Sequence, residues 1–266
     1  MEGLRVLGDP YMYATKYYHE NADELIYIDT VASLYGRNNL TEFVSHTAND
    51  IFIPLCVGGG IRNLDDIYKL LRAGADKVAI NTEALKNPSL IEEASKEFGS
   101  QCIVVSIQTK KVANGHLCYM DNGREPSKRD VLEWVKYVED LGAGELLITS
   151  IDNEGSGKGL DIDLLKKITN LVSIPIIASG GVGSKEDVVE AVKETSIDAV
   201  AIASTFHYHA LKDIIEHSAT KDYVEGDLSF LKKSYKSSQF GRKNISEISI
   251  FDLKKYCIDM NIECRI

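Results

Sequence analysis

Ile174-Pro175-Ile176-Ile177-Ala178-Ser179-Gly180-Gly181 is the stretch on which the reading of the fold turns, because the chain carries it twice. The earlier copy is Ile53-Pro54-Leu55-Cys56-Val57-Gly58-Gly59-Gly60, and 174 − 53 = 121. The same offset takes Glu24-Leu25-Ile26 to Glu145-Leu146-Leu147 and Asp66 to Asp187. Val78-Ala79-Ile80 returns one residue later, as Val200-Ala201-Ile202. The chain therefore reads as two similar halves.

Each copy holds a short apolar run that ends in glycines. Five more runs of this kind flank them: Leu25–Ile28, Lys77–Ile80, Cys102–Ile107, Leu146–Thr149 and Ala199–Ala203. With Ile53–Val57 and Ile174–Ala178 they make seven, all rich in Ile, Val and Leu and too short for helices. Between them lie amphipathic stretches: Asp65–Ala73, Ser89–Phe98, Ser127–Leu141, Asp161–Leu171 and Ser184–Lys193. Continuous apolar strands alternating with helices indicate a parallel sheet covered on its outer face. A chain of 266 residues suits a single (β/α)8 TIM barrel built of two half-barrels. No linker-like stretch divides residues 1–266, which are read as one domain.

The repeat also makes a statement about the start. Cys102–Ile107 opens the second half, and its counterpart falls at 102 − 121 = −19, ahead of Met1. The expectation is a barrel whose first strand is missing from this chain, with Met1–Pro10 a loop and the start placed late. Near the other end, Leu211–Gly241 is long for a connection and reads as an insertion before the last helix, a solvated excursion or a docking element. That helix is expected from about Ile248 to Met260, capped by Ser246.

Composition narrows the function classes. The formal net charge of −10 argues against nucleic acid as a partner. Five cysteines, an odd count without metal-ligand spacing, read as free thiols in a reducing compartment. No apolar run approaches the length of about 18 residues that a membrane span needs, and no signal peptide precedes the polar start, so a cytoplasmic protein with no membrane contact is expected. Nothing in the sequence asks for a cofactor or a metal. His207 and His209 form a weak H-x-H signal and read as surface histidines, and Asp121-Asn122-Gly123 beyond His116 reads as a hairpin turn.

The glycine turns carry the chemistry. Glycine at a strand-to-helix junction lets backbone N–H groups approach a phosphate, and the following helix favours the anion. Gly60 and Gly181 sit at such junctions, and the repeat pairs Asn81-Thr82 with Ala203-Ser204 as the matching residues after the next strands. Two symmetric sites suit a small substrate phosphorylated at both ends; the alternative is that the glycines only make tight turns. A second pattern lies at the opposite end of the barrel. If Asn81 and Thr149 point inward, Lys77 and Glu145, four positions earlier on the same strands, also point inward. With Glu24 they form a ring of alternating charge, either a gate for a small molecule or an ordinary salt-bridge network.

Several stretches carry a resemblance: Glu24–Asp29, Ile53–Gly60, Gly74–Thr82 (GADKVAINT), Asn87–Ile91 (NPSLI), Gly142–Ser156 (GAGELLITSIDNEGS) and Ile174–Gly181. They resemble the cyclase subunit family of imidazole glycerol phosphate synthase, a barrel of the ribulose-phosphate-binding type. The resemblance runs from about Gly3 to Phe206 and resumes at the last helix. It implies a glutaminase subunit docked at the N-terminal barrel face, ammonia crossing the core, and a bis-phosphate intermediate of histidine synthesis as substrate. By resemblance Gly60, Asn81 and Thr82 hold one phosphate, while Glu154, Gly155, Gly181, Ala203 and Ser204 hold the other. Glu24, Lys77 and Glu145 match three of the family's four gate residues, whose arginine belongs to the first strand.

The departures are specific. The family's acid and base are two aspartates, one on the first strand and one where this chain has Gln108. An amide neither gives nor takes a proton near neutral pH. Glu154 stands where the family has an aspartate. Asp29 is the carboxylate left facing the site, as a possible auxiliary or an orienting group. The pattern fits a paralogue that keeps barrel, tunnel and glutaminase but delivers ammonia to a separate amidotransferase of surface or lipopolysaccharide sugars. A true cyclase of histidine biosynthesis and a non-catalytic phosphate-binding scaffold are the alternatives.

Overall fold

The computed structural model describes residues 9–30, 40–217 and 244–266. Helix α1 (Pro10–His19) precedes strand β1 (Leu25–Ile28), and then follow α2 (Leu40–Asp50), β2 (Leu55–Gly58), α3 (Leu64–Ala73) and β3 (Lys77–Ile80). Next come α4 (Thr82–Lys86), α5 (Ser89–Phe98), β4 (Ile103–Val112), β5 (Gly115–Met120), β6 (Glu125–Asp130) and α6 (Val131–Asp140). The second half closes with β7 (Glu145–Ser150), α7 (Ile162–Thr169), β8 (Ile176–Ser179), α8 (Lys185–Glu194), β9 (Ala199–Ala201), α9 (Ser204–His217) and α10 (Ile250–Asp259).

The parallel strands pair in the order β1-β2-β3-β4-β7-β8-β9, with β5 and β6 as an antiparallel hairpin off β4. Ile26, Cys56, Ala79, Val104, Leu147, Ile177 and Ala201, one residue from each parallel strand, meet in a single cluster. Helix α1, ahead of β1, meets α9, beyond β9, with the Tyr13 and His207 rings 4.8 Å apart, so the sheet curls into a nearly closed barrel of the (β/α)8 type. Among the described residues β1 and β9 end the path without pairing to each other, and no strand stands as the first-half counterpart of β4. The larger core lies between the outer face of the sheet and the helices, where Ile67 and Leu70 of α3, Trp134 of α6 and Ile168 of α7 are buried. No helix among the described residues is long and apolar enough to cross a membrane.

The repeat holds down to single hydrogen bonds. Leu55 N–H donates to the Asp76 carboxylate at 2.8 Å, and Ile176 N–H donates to Asp198 at 2.8 Å. Leu25 N–H bonds to the Pro54 carbonyl and Leu146 N–H to the Pro175 carbonyl, both at 2.9 Å. Asn63 caps α3 through Asp66 N–H, and Ser184 caps α8 through Asp187 N–H. A charge-assisted bond of this type contributes about 1 kcal/mol at an exposed carboxylate. Asp76→Ala and Asp198→Ala are therefore expected to lose about 1 kcal/mol each in urea unfolding, and by similar amounts, because their roles are equivalent.

Some local expectations are corrected. The run Ile53–Val57 enters the sheet only at Leu55, since Pro54 has no N–H to give. The run from Cys102 extends to Val112 because β5 pairs with its far half, Gln108 opposite Tyr119 through Val112 opposite Gly115. The stretch Ser127–Leu141 divides at Asp130, whose side chain accepts from Leu132 N–H and Glu133 N–H and so caps α6, while the residues before it pair with β5. Met1–Pro10 is not all loop: Pro10 opens α1 and Asp9 caps it, residues 1–8 lying outside the described ones. The last helix is capped by Ser249, not Ser246, whose N–H instead bonds Gly183 O at 2.7 Å. Residues 211–217 of the expected insertion continue α9, and residues 218–243 lie outside the described residues.

Candidate functional site

At the barrel floor, Glu24 lies just ahead of β1, and Lys77 and Glu145 open β3 and β7. The Lys77 ammonium donates to Glu24 Oε2 at 2.9 Å and to Glu145 Oε2 at 2.8 Å. Burial works against the lysine charge, but its two carboxylate partners outweigh this and raise its pKa. Burial also raises the Glu24 carboxyl; Lys77 pulls it back, and the charges of Glu145 and Asp76 push it further up. Glu24 Oε1 is buried without a hydrogen-bond partner among the described residues. The three side chains thus form one connected ring. Above it lies the apolar layer from Ile26 to Ala201, and burial holds the Cys56 thiol there protonated.

At the opposite end of the strands is an open cleft of about 740 Å³, counting its mouth, whose walls include Asp29, Gly60, Asn81, Thr82, Gln108 and Asp121. The residues assigned to one phosphate therefore lie together with Gln108 and Asp29. Alternation along β4 carries Val104, Ser106 and Gln108 to one side, and Val104 belongs to the inner layer, so Gln108 stands at its upper end. Gln108 Oε1 is buried without a hydrogen-bond partner among the described residues. The polar groups below are already engaged: Asn81 Nδ2 donates to Ser106 O at 2.9 Å and Tyr119 O at 3.2 Å, and Asp121 N–H donates to Thr82 Oγ1 at 3.0 Å. The β5–β6 hairpin tip is thus a wall of the cleft, which the sequence reading did not foresee. Its trace was the Asp121-Asn122-Gly123 turn, read as a turn but not as a contact.

The second set of residues is spread over three loops that are tied to one another. Gly159 N–H bonds Gly181 O at 2.9 Å, and Asn153 Nδ2 bonds Gly159 O at 2.9 Å, joining the loop of Glu154 and Gly155 to that of Gly181. Thr205 Oγ1 donates to Val182 O at 3.2 Å, joining the start of α9, with Ala203 and Ser204, to the same loop. Burial raises the pKa of the Glu154 carboxyl. The backbone of Asn244 lies against Gly157 and Gly183, so the segment before α10 closes the back of this group. The two glycine turns are equivalent: Gly59 (φ +109) lies against the Asp29 backbone, and Gly180 (φ +91) against that of Ser150.

His207 differs from its reading as a surface residue. His207 Nε2 is buried, its ring lies 4.8 Å from that of Tyr13, and burial lowers its pKa. His116, on β5, meets the Asp161 carboxylate at 3.2 Å and ties the hairpin to the cap of α7.

Comparison with known proteins agrees with this architecture. A family model described as histidine biosynthesis protein matches residues 1–212. The imidazole glycerol phosphate synthase subunit HisF of Legionella pneumophila is 58% identical over 188 residues, 70% of this chain and 89% of its own length. The protein of the same name from Bacillus cereus (strain G9842) is 48% identical over 207 residues, 77% of this chain and 82% of its own. With most of the chain matched on both counts, it belongs to the histidine biosynthesis protein family.

Proposed function

We propose that this chain is the barrel of a glutaminase-coupled assembly that conducts ammonia through its core, and that it serves amidation of a surface or lipopolysaccharide sugar. Imidazole ring closure is the reaction it has given up. The observation that carries this is Gln108, a carboxamide on the cleft wall where the resemblance expects an aspartate. Ring closure needs groups that exchange protons with the substrate, and an amide does not titrate near neutral pH. Conduction needs no such group. At the floor Lys77 joins Glu24 and Glu145, and the layer above them is apolar, a surface that favours neutral ammonia over ammonium.

In this reading a glutaminase subunit sits against the floor, and a separate sugar amidotransferase receives the ammonia. Gly60, Asn81 and Thr82 hold one phosphate of a small ligand; Glu154, Gly155, Gly181, Ala203 and Ser204 hold the other. Burial disfavours the charged form of the Glu154 carboxyl and so raises its pKa. Asp29 orients groups at the first site.

The second reading, a true cyclase, is favoured by the name its relatives carry. The test supplies purified protein with ammonium salt and the bis-phosphate ribulosyl formimino intermediate. The expected result is no imidazole glycerol phosphate, with glutaminase activity still stimulated by the wild-type barrel and less so by Lys77→Ala. Turnover would overturn the proposal in favour of the cyclase; a barrel that stimulates no glutaminase would leave a phosphate-binding scaffold.

A further inference from the structure

The C-terminal tail folds back on the last helix. Asn261 takes a left-handed conformation (φ 60), and Ile262 N–H returns to Cys257 O at 2.8 Å, a helix end that reverses the chain. This packs Cys264 against the core cluster that holds Cys257 and brings the two thiols close enough to influence each other. Cys257 is 3% exposed in the core, whereas Cys264 is half-buried; both are free thiols. The tail is also tied at its end: the buried Lys254 ammonium donates to Arg265 O at 2.8 Å and to Asp23 Oδ1 at 2.6 Å. Asp23 immediately precedes Glu24 of the floor ring.

We infer that Cys257 and Cys264 are an oxidative modification site, which closes into an intramolecular disulfide and fastens the C-terminal tail to α10 beside the barrel floor. The oxidant is a low-molecular-weight disulfide. Burial pushes the Cys257 thiol up to about 11, so the first attack belongs to Cys264. Its thiolate displaces one thiolate from the oxidant and forms a mixed disulfide. Cys257 then gives up its proton and attacks the Cys264 sulfur, releasing the second thiolate. Two protons leave the protein, and two electrons pass to the oxidant. Both cysteines belong to one packed cluster in the reduced fold, so closure joins side chains that are already neighbours. This inference does not depend on what the barrel does with ammonia.

Oxidised glutathione is added to the folded full-length chain, free thiols are then alkylated under denaturing conditions, and the product is digested with trypsin. Cleavage after Lys255 and Arg265 leaves both cysteines in one peptide, residues 256–265. The expected peptide is lighter by two hydrogens and carries no alkyl group, while Cys56, Cys102 and Cys118 are alkylated. Carboxypeptidase is expected to trim the oxidised tail several-fold more slowly than the reduced one, a difference lost in Cys264→Ser and in Cys264→Ala. Alkylation of both cysteines after oxidation, a lasting glutathione adduct on Cys264, or a bridge from Cys257 to another cysteine would overturn the assignment.

Discussion

Lys77→Met is expected to cost about 3 kcal/mol of stability at neutral pH, the lower end of what removing one partner of a buried ion pair costs. The lower end applies because the ring retains some contact with solvent, the Lys77, Glu24 and Glu145 side chains being 21%, 24% and 15% exposed. The substitution leaves Glu24 and Glu145 facing each other with the bridging cation gone. It also removes the influence that holds the Glu24 carboxyl down, so its pKa, already raised by burial, rises further. The sign of the pH dependence follows. A carboxyl whose folded pKa lies above its unfolded value binds more protons in the folded state, and this disfavours the fold as pH rises through that interval. The variant should therefore recover stability on going from pH 7 to about pH 5, the direction in which Glu24 takes up a proton. Wild type shows the same sign at the alkaline end, through Lys77. The raised Lys77 pKa contributes stability in full below the unfolded lysine value of about 10.4, and that contribution is lost as pH rises through the folded value. Urea unfolding of wild type and variant at the two acidic-to-neutral pH values checks this; an equal loss at both would mean that the carboxylates are well solvated without Lys77.

Gly59→Ala is expected to cost at least about 3 kcal/mol, from backbone strain of about 1–3 kcal/mol together with overpacking of similar size. The backbone there has φ +109, which an L side chain rarely adopts, and an added Cβ falls 2.3 Å from the Asp29 carbonyl oxygen. That neighbour is main chain, at the end of β1, and cannot swing away as a side chain would. Gly180→Ala is the matched experiment, with φ +91 and 2.7 Å to the Ser150 carbonyl, so it should be damaging but less so. Because Gly59 adjoins Gly60 and touches Asp29, under the proposed phosphate role of Gly60 its variant should also weaken binding of inorganic phosphate, measured by titration of the folded fraction. A loss below about 1 kcal/mol in urea unfolding would mean that the turn relaxes freely.

The two predictions differ in where their warrant lies. The positive-φ turns were legible in the sequence, because a duplicated Gly-Gly after an apolar run states its own backbone requirement. The inward direction of Lys77 and Glu145 was legible as well, since strand alternation relates each to a residue four positions on. Their grouping with Glu24 into a ring of alternating charge was read too, but not that one ammonium donates to both carboxylates, because that depends on how far the sheet curls. The same limit explains the hairpin. Asp121-Asn122-Gly123 announces a turn, but its seat on Thr82 joins residues 39 apart and required β4 to run on to Val112. Ser246 and Ser249 are equally good caps by residue type; the bond from Ser246 N–H to Gly183 O decided between them.

The sequence by itself thus determined the two-fold repeat, the parallel α/β barrel, the glycine turns and the residue types available at each end of the strands. These rest on periodicity and local backbone preference, which neighbouring residues settle. Tertiary structure alone decided how those residues meet: the double bridge from Lys77 to its two glutamates, the hairpin wall beside Gln108, the buried setting of His207, and the return of Cys264 towards Cys257. Each is a contact between elements whose positions are set by packing of the whole sheet and its helices, and no local pattern encodes that packing.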